Sequence, residues 1–277
     1  MNQRKSLKEL NLLDKFLFDE AMDDPENVKT MLDIILSQNT NLKHPPQTEK
    51  EQRTSTDNRQ IRLDVYAIDE DDVIYEVEAQ KENTHNLPKR SRLYQGIIDS
   101  KLLPPGIIDF NLLNEVLIVL IMPFDLFGYG LYRYTFQMRC EEVPELKLDD
   151  GATRIFLNTR GIHPELVSPE LIELLKYMER STDEVSRACG SKRIQEMHRR
   201  ICQIKASEKT EVKYMQSWEE KIFIKQEGIA EGKQIGRLKG KTDFVKKLSN
   251  KFSTEQIAEM LEIDISEVEN IIKELAK

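Results

Sequence analysis

The chain has few of the residues that build disulfide frameworks or zinc modules: three cysteines and four histidines among 277 residues, with a single tryptophan. Cys140, Cys189 and Cys202 are odd in number and lack metal-ligand spacing, so they read as reduced thiols. His85 is the only histidine close in sequence to the candidate site described below, and it reads as a loop residue; His44, His163 and His198 carry no spacing argument. No stretch approaches the roughly 18 uninterrupted apolar residues of a membrane span. The opening MNQRKSLKEL has no signal-peptide core, so a cytoplasmic address without a membrane partner is expected. Positive charge is outnumbered: 41 Lys and Arg against 49 Asp and Glu give a net charge of −8, which argues against a protein whose whole surface embraces nucleic acid. The length allows one large domain or two small ones, either with a real core.

What is present centres on Ile61 to Gln80, IRLDVYAIDEDDVIYEVEAQ, two alternating runs joined by the acidic turn Asp69 to Asp72. Ile61, Leu63, Val65 and Ala67 fall on one face of an extended strand, with Arg62, Asp64 and Tyr66 on the other. In the second run Glu76, Glu78 and Gln80 share a face. A hairpin register that sets Asp64 opposite Glu78 brings their Cβ atoms to roughly 5 Å. Two carboxylates on a rigid sheet, with an amide two residues on, suit a hard divalent cation such as Mg²⁺, and the carbonyl of Ala79 could complete the ligand set. Gln80 would orient a water or donate to a phosphate oxygen, although unlike Lys it adds no charge. A solvated sheet face is the competing reading of the same alternation.

Around the hairpin, apolar spacing predicts a helix over Leu7 to Met22 and a second from Pro25 through Leu36. Gln38 to Asn58 reads as a loop with an edge strand ahead of the hairpin. Pro88 opens a helix to about Lys101, on which Arg90 and Tyr94 share a face. Val116 to Met122, VLIVLIM, has the pattern of a strand buried on both faces. Tyr132 to Arg139 and Thr153 to Leu157 read as further strands, and helices resume at Pro169.

The last third changes character. Between Arg187 and Lys251 there are 17 Lys and Arg against 8 Asp and Glu. That stretch is either a solvated helix face or a polyanion contact. Gly228, Gly232, Gly236 and Gly240 recur every fourth residue, marking a loosely ordered connector or a close helix approach. Ser253 with Gln256 and Asp264 with Glu267 form two capping boxes around LEID, a helix-turn-helix pattern. Glu267, Glu269 and Glu274 would repel phosphates, which favours a packing or dimerisation tail and a homo-oligomer through the C-terminal helices.

A strand bearing Asp, followed by a partner strand with Glu, one apolar residue and a polar residue, resembles the PD-(D/E)XK nuclease superfamily. Within it the chain is similar to the PD-(D/E)XK nuclease family transposase group, relatives of the recombination-promoting nucleases. NLLDKFLFDEAMDDPENVKTMLDIIL, RLDVYAIDEDDVIYEVEAQ, LPKRSRLYQGIID, VLIVLIMPFD and YTFQMRC resemble segments of that group in the same order, over about Leu7 to Gly161. The resemblance implies an α/β fold, a restriction-endonuclease-like mixed β-sheet flanked by helices, with a helical C-terminal region. Taken with the basic stretch and the capping boxes beyond it, the chain is expected to divide into a nuclease-like domain (1–185), a basic helical connector (186–250) and a helix-turn-helix-like tail (251–277). The resemblance further implies a Mg²⁺-dependent DNA endonuclease, a hydrolase with Mn²⁺ able to replace Mg²⁺, linked to DNA recombination or mobile elements. Asp64 and Glu78 map onto its metal-binding carboxylates. Gln80 takes the place that Lys holds elsewhere in the superfamily, a substitution usual in this group. Asp14, Arg90 and Tyr94 match recurring positions; Arg90, with neighbouring Arg92 and Tyr94, is a candidate DNA contact. Lys81 should face the other side of the sheet. The alternative from another class is a non-catalytic DNA-binding or assembly protein that keeps the fold.

Overall fold

The alternating runs pair in the expected register. In a computed structural model, which describes residues 4–52 and 61–275, β2 (Ile61–Ile68) and β3 (Ile74–Ala79) are antiparallel, with Val65 opposite Val77 and Tyr66 opposite Glu76. Asp69 organises the turn. Its carboxylate accepts from the amides of Asp71 and Val73 and from the Tyr75 hydroxyl, while Asp72 takes a left-handed φ of 62°.

Strict alternation holds only as far as Asp64. The ladder to β3 ends at Val65, and Ile61 and Leu63 join Tyr66 in one apolar cluster although alternation would separate them. On the outer side β1 (Gln47–Gln52) runs antiparallel to β2 with Thr48 opposite Val65 and Lys50 opposite Leu63. Glu49, between those partners, has a φ of 48°, so the strand pair is irregular where Asp64 sits. β1 is the edge strand expected ahead of the hairpin. Residues 53–58 of the expected loop lie outside the described residues.

The apolar run forms β4 (Val116–Met122), parallel to β3 and central in the sheet. β6 (Ala152–Asn158) is parallel to β4, and β5 (Arg133–Phe136), shorter than expected, pairs antiparallel with β6. The six-stranded mixed sheet has the order β1-β2-β3-β4-β6-β5. A parallel β3–β4 pair requires a crossover, which α3 (Leu87–Asp99) supplies. Its Leu87, Tyr94, Ile97 and Ile98 pack with Ile118 and Leu120 of β4.

The predicted first helix is interrupted. Leu7–Glu9 is a single 3-10 turn and α1 is confined to Lys15–Met22. The amides between them bond elsewhere: Asn11 donates to the Asp14 carboxylate, Leu12 to the Ser181 hydroxyl and Leu13 to the Met178 carbonyl. Those bonds replace helical ones and leave Asp14 at the N-cap position. α2 (Pro25–Leu36) begins at its proline as expected. α4 (Pro169–Glu179), α5 (Asp183–Ala188) and α6 (Lys192–Lys205) are each capped by a hydroxyl, from Ser168, Thr182 and Ser191. α1 meets β1 and β2, and α2 packs against α4 and α6.

The chain divides into two units, Met1–Glu211 and Val212–Lys277. The first continues past 185, because α5 and α6 pack on α4 and α2. The glycine stripe lies inside α7 (Glu208–Leu248), a continuous helix in place of the loosely ordered connector expected. In the second unit α8 (Thr254–Leu261) and α9 (Ile265–Leu275) share a small core of Val245, Ile257, Ala258, Val268 and Ile271. The Ser253/Gln256 capping box forms, whereas the Glu267 carboxylate pairs with Lys241 at 2.6 Å. Among the described residues no helix is long and apolar enough to cross a membrane.

Candidate active site

The ends of β2 and β3 open into a cavity of about 690 Å³ bordered by α1 and α3. Asp64 and Glu78 both line it, and at 5% and 8% exposure they do not belong to a solvated sheet face. Each carboxylate meets a basic side chain brought in by a helix. Lys15, in the first turn of α1, places Nζ 2.5 Å from Asp64 Oδ1 and 3.1 Å from Asp19 Oδ1. Arg90, one turn into α3, donates through Nη2 to Glu78 Oε1 at 2.7 Å and to Gln80 Oε1 at 2.6 Å. The Gln80 amide nitrogen donates to the Glu82 carbonyl, so the side chain is held at both ends. Tyr94, one turn after Arg90, lies beneath the guanidinium with its ring centroid 5.8 Å from Cζ.

Carboxyl groups crowd together on the buried side of this cavity. Burial pushes Glu78 up to about 7, against the pull of Arg90. Glu76, fully buried on the same strand, is raised well above the carboxylate range by burial and by the neighbouring Glu78 and Asp64. Asp19 also rises to about 7 through burial, despite its bond to Lys15. Burial works against the Lys15 charge, yet Asp64 and Asp19 hold its pKa above the ordinary value. Burial likewise raises Tyr94, keeping its phenol neutral.

Both oxygens of Glu76 and Oε2 of Glu78 are buried without a hydrogen-bond partner. Buried carboxylates normally find partners, so this set is short of donors or positive charge. A hard divalent cation would supply positive charge here, and Asp64 with Glu78, which line the cavity, are the oxygen donors that could hold it. The residues present therefore fit Mg²⁺ or Mn²⁺.

Asp14, Asp64, Glu78, Gln80, Arg90 and Tyr94, singled out from the sequence, all line this one cavity. Arg92 does not; it is exposed on another side of α3. Lys81 corrects the parity argument. β3 ends at Ala79, so alternation does not govern residue 81, and its ammonium reaches Asp14 on the cavity wall. Lys15, Asp19 and Glu76 were not among the predicted site residues. Glu76 was visible as a member of the Glu78 and Gln80 face, but its complete burial was not. Lys15 had only the weak signal of a cation beside Asp14 and four residues before Asp19.

No family model matches the chain, and neither the curated proteins nor the solved structures provide a match.

Proposed function

We propose that the protein is a divalent-metal-dependent DNA endonuclease of the PD-(D/E)XK type, using Mg²⁺ or Mn²⁺ to hydrolyse phosphodiester bonds. The observation that carries this reading is the convergence of buried Asp64 and Glu78, from neighbouring strands, in one open cavity. The resemblance of ordered segments and the mixed sheet with its helical crossover support the same reading, including a restriction-endonuclease-like fold. The bound cation would supply Lewis-acid stabilisation to the phosphoryl group.

The chain's own residues have separate tasks. Asp64 and Glu78 hold the cation. Gln80, clamped between Arg90 and the Glu82 carbonyl, orients a water or a phosphate oxygen. Lys15 brings to Asp64 the positive charge that glutamine cannot provide at position 80. Arg90 fixes Glu78 and lies where a phosphate would enter. The basic stretch from Arg187 to Lys251 offers contacts for the DNA backbone. A link to recombination or mobile elements would act through cleavage, since nothing in the sequence resembles a three-carboxylate integrase site.

One observation favours a second reading: Asp64 and Glu78 are each already bonded to a basic side chain, as in a fold kept for DNA binding or assembly without turnover. Plasmid nicking with Mg²⁺ or EDTA, alongside gel shifts in EDTA, separates the two. The endonuclease reading expects Asp64→Ala to retain DNA but to nick only at the EDTA background. Equal nicking by wild type and variant, or none by either with retention intact, supports the non-catalytic reading.

A further inference from the structure

A second cluster of ligand-type side chains lies among α4, α5 and α6 of the first unit, away from the carboxylate cavity. Asp183 opens α5, while His198 and Cys202 are four residues apart on α6 and so project from one face. Their polar atoms converge. His198 Nε2 lies 2.9 Å from Asp183 Oδ1 and 3.4 Å from Cys202 Sγ, and Sγ lies 3.9 Å from the same Asp183 oxygen. Tetrahedral zinc with ordinary bond lengths separates such ligand atoms by about 3.4–3.6 Å. A shift of about half an ångström would bring this triangle to that spacing.

The ring is anchored from behind. His198 Nδ1 lies 2.8 Å from the hydroxyl of Tyr177, a fully buried residue whose ring meets the imidazole edge-on. With Nδ1–H donating to Tyr177, Nε2 is left as the ligand nitrogen 2.9 Å from Oδ1, which is how a second-shell partner orients a metal-binding histidine, while Sγ, 3.4 Å from Nε2 and 4.0 Å from Nδ1, stands beside the ring and joins a metal on Nε2 by turning about the Cys202 Cα–Cβ bond. A hydrolytic Cys–His–Asp arrangement would need thiol and carboxylate on opposite ring nitrogens. Here the carboxylate lies on Nε2, the thiol is nearer Nε2 than Nδ1, and Nδ1 is taken by Tyr177.

We propose that Asp183, His198 and Cys202 form a zinc site, with three protein ligands and a fourth position open to water, that clips α5 to α6. Thiolate and imidazole select zinc over magnesium, so this site is chemically distinct from the carboxylate cavity. Binding replaces the thiol proton with the metal and releases that proton to solvent. The clip does not depend on nuclease activity. Neither His198 nor Cys202 stands out by spacing in the sequence; the fold brings them to Asp183.

The test uses the full chain, reduced and stripped with EDTA, titrated with Co²⁺ as a spectroscopic probe and then with Zn²⁺. Wild type should show a saturable thiolate-to-cobalt charge-transfer band at one ion per chain, displaced by Zn²⁺ and not by Mg²⁺. The band should vanish in Cys202→Ser and persist in Asp64→Ala. Tyr177→Phe should keep the band but weaken Zn²⁺ binding by roughly 10- to 100-fold. Asp183, whose side chain is 76% exposed, allows a variant that keeps the core intact: Asp183→Asn should weaken Zn²⁺ binding and abolish the rise in thermal midpoint that Zn²⁺ gives wild type. Absence of the band in wild type overturns the proposal, as does an unchanged band in Cys202→Ser or Zn²⁺ affinity unaltered in Asp183→Asn.

Discussion

Burial raises Glu78 to a pKa of about 7, against an ordinary value of 4.5, and so makes the cavity sensitive to pH. Between those values the folded, metal-free protein retains a proton that the unfolded chain has lost. The resulting stability is fully present below about 4.5 and is lost as pH rises through about 7, on the order of 3 kcal/mol for Glu78. Asp19 acts in the same direction. In EDTA the thermal midpoint should therefore fall from about pH 5 to about pH 8, and less steeply in Glu78→Gln. Mg²⁺ or Mn²⁺ should raise it most at the alkaline end, where the carboxylate is free to bind. Equal slopes in wild type and Glu78→Gln would show that Glu78 is not the titrating group. Lys15→Met should destabilise the protein by about 1 kcal/mol in urea denaturation at about pH 8, discounted for the one-third exposure of the lysine, and by less near pH 5, where Asp19 holds a proton. A cost independent of pH would contradict the coupling. Asp64, Glu78 and Gln80 were legible because strand alternation limits which side chains can meet. Lys15 was not, since its approach to Asp64 spans 49 residues of sequence and depends on where α1 begins.

At the scale of elements, β4 and the hairpin were readable from pattern alone: seven apolar residues in a row suit only a strand covered on both faces, and the acidic turn leaves few registers. The break before α1 was hidden because the residues that compete for its amides, Ser181 and Met178, lie far along the chain. The irregularity at Asp64 was hidden for a similar reason, since Asp64 faces Glu49, with its left-handed φ, on a neighbouring strand. The glycine stripe allowed two readings until its surroundings were visible. Among the described residues, a Cβ added at Gly228, Gly232, Gly236 or Gly240 meets no atom within 4 Å outside its own helix turn, so no other described part of the chain packs there. Alanine at these four positions should raise helix content by circular dichroism, with about 1 kcal/mol gained at each exposed site. The oligomeric state, read by light scattering, should not change. If it does, the stripe is a contact between copies of the chain.

For the whole molecule, the division between the two units decides where chemistry and charge reside. The carboxylate cavity and the Asp183–His198–Cys202 cluster both belong to Met1–Glu211, while much of the basic stretch continues into Val212–Lys277. Composition foreshadowed that uneven charge, but it could not locate the boundary, because α7 runs through it without a break. Buried Asp64 and Glu78 are proposed to form a cation-dependent hydrolytic centre. That is tested most directly by the initial rate of supercoiled-plasmid nicking in Mg²⁺ for wild type, Asp64→Asn and Glu78→Gln, proteins of matched size and shape. The account predicts EDTA-sensitive nicking by wild type and a loss of roughly 100-fold or more in each variant. Nicking at the wild-type rate by either variant, or undiminished nicking in EDTA, would contradict it.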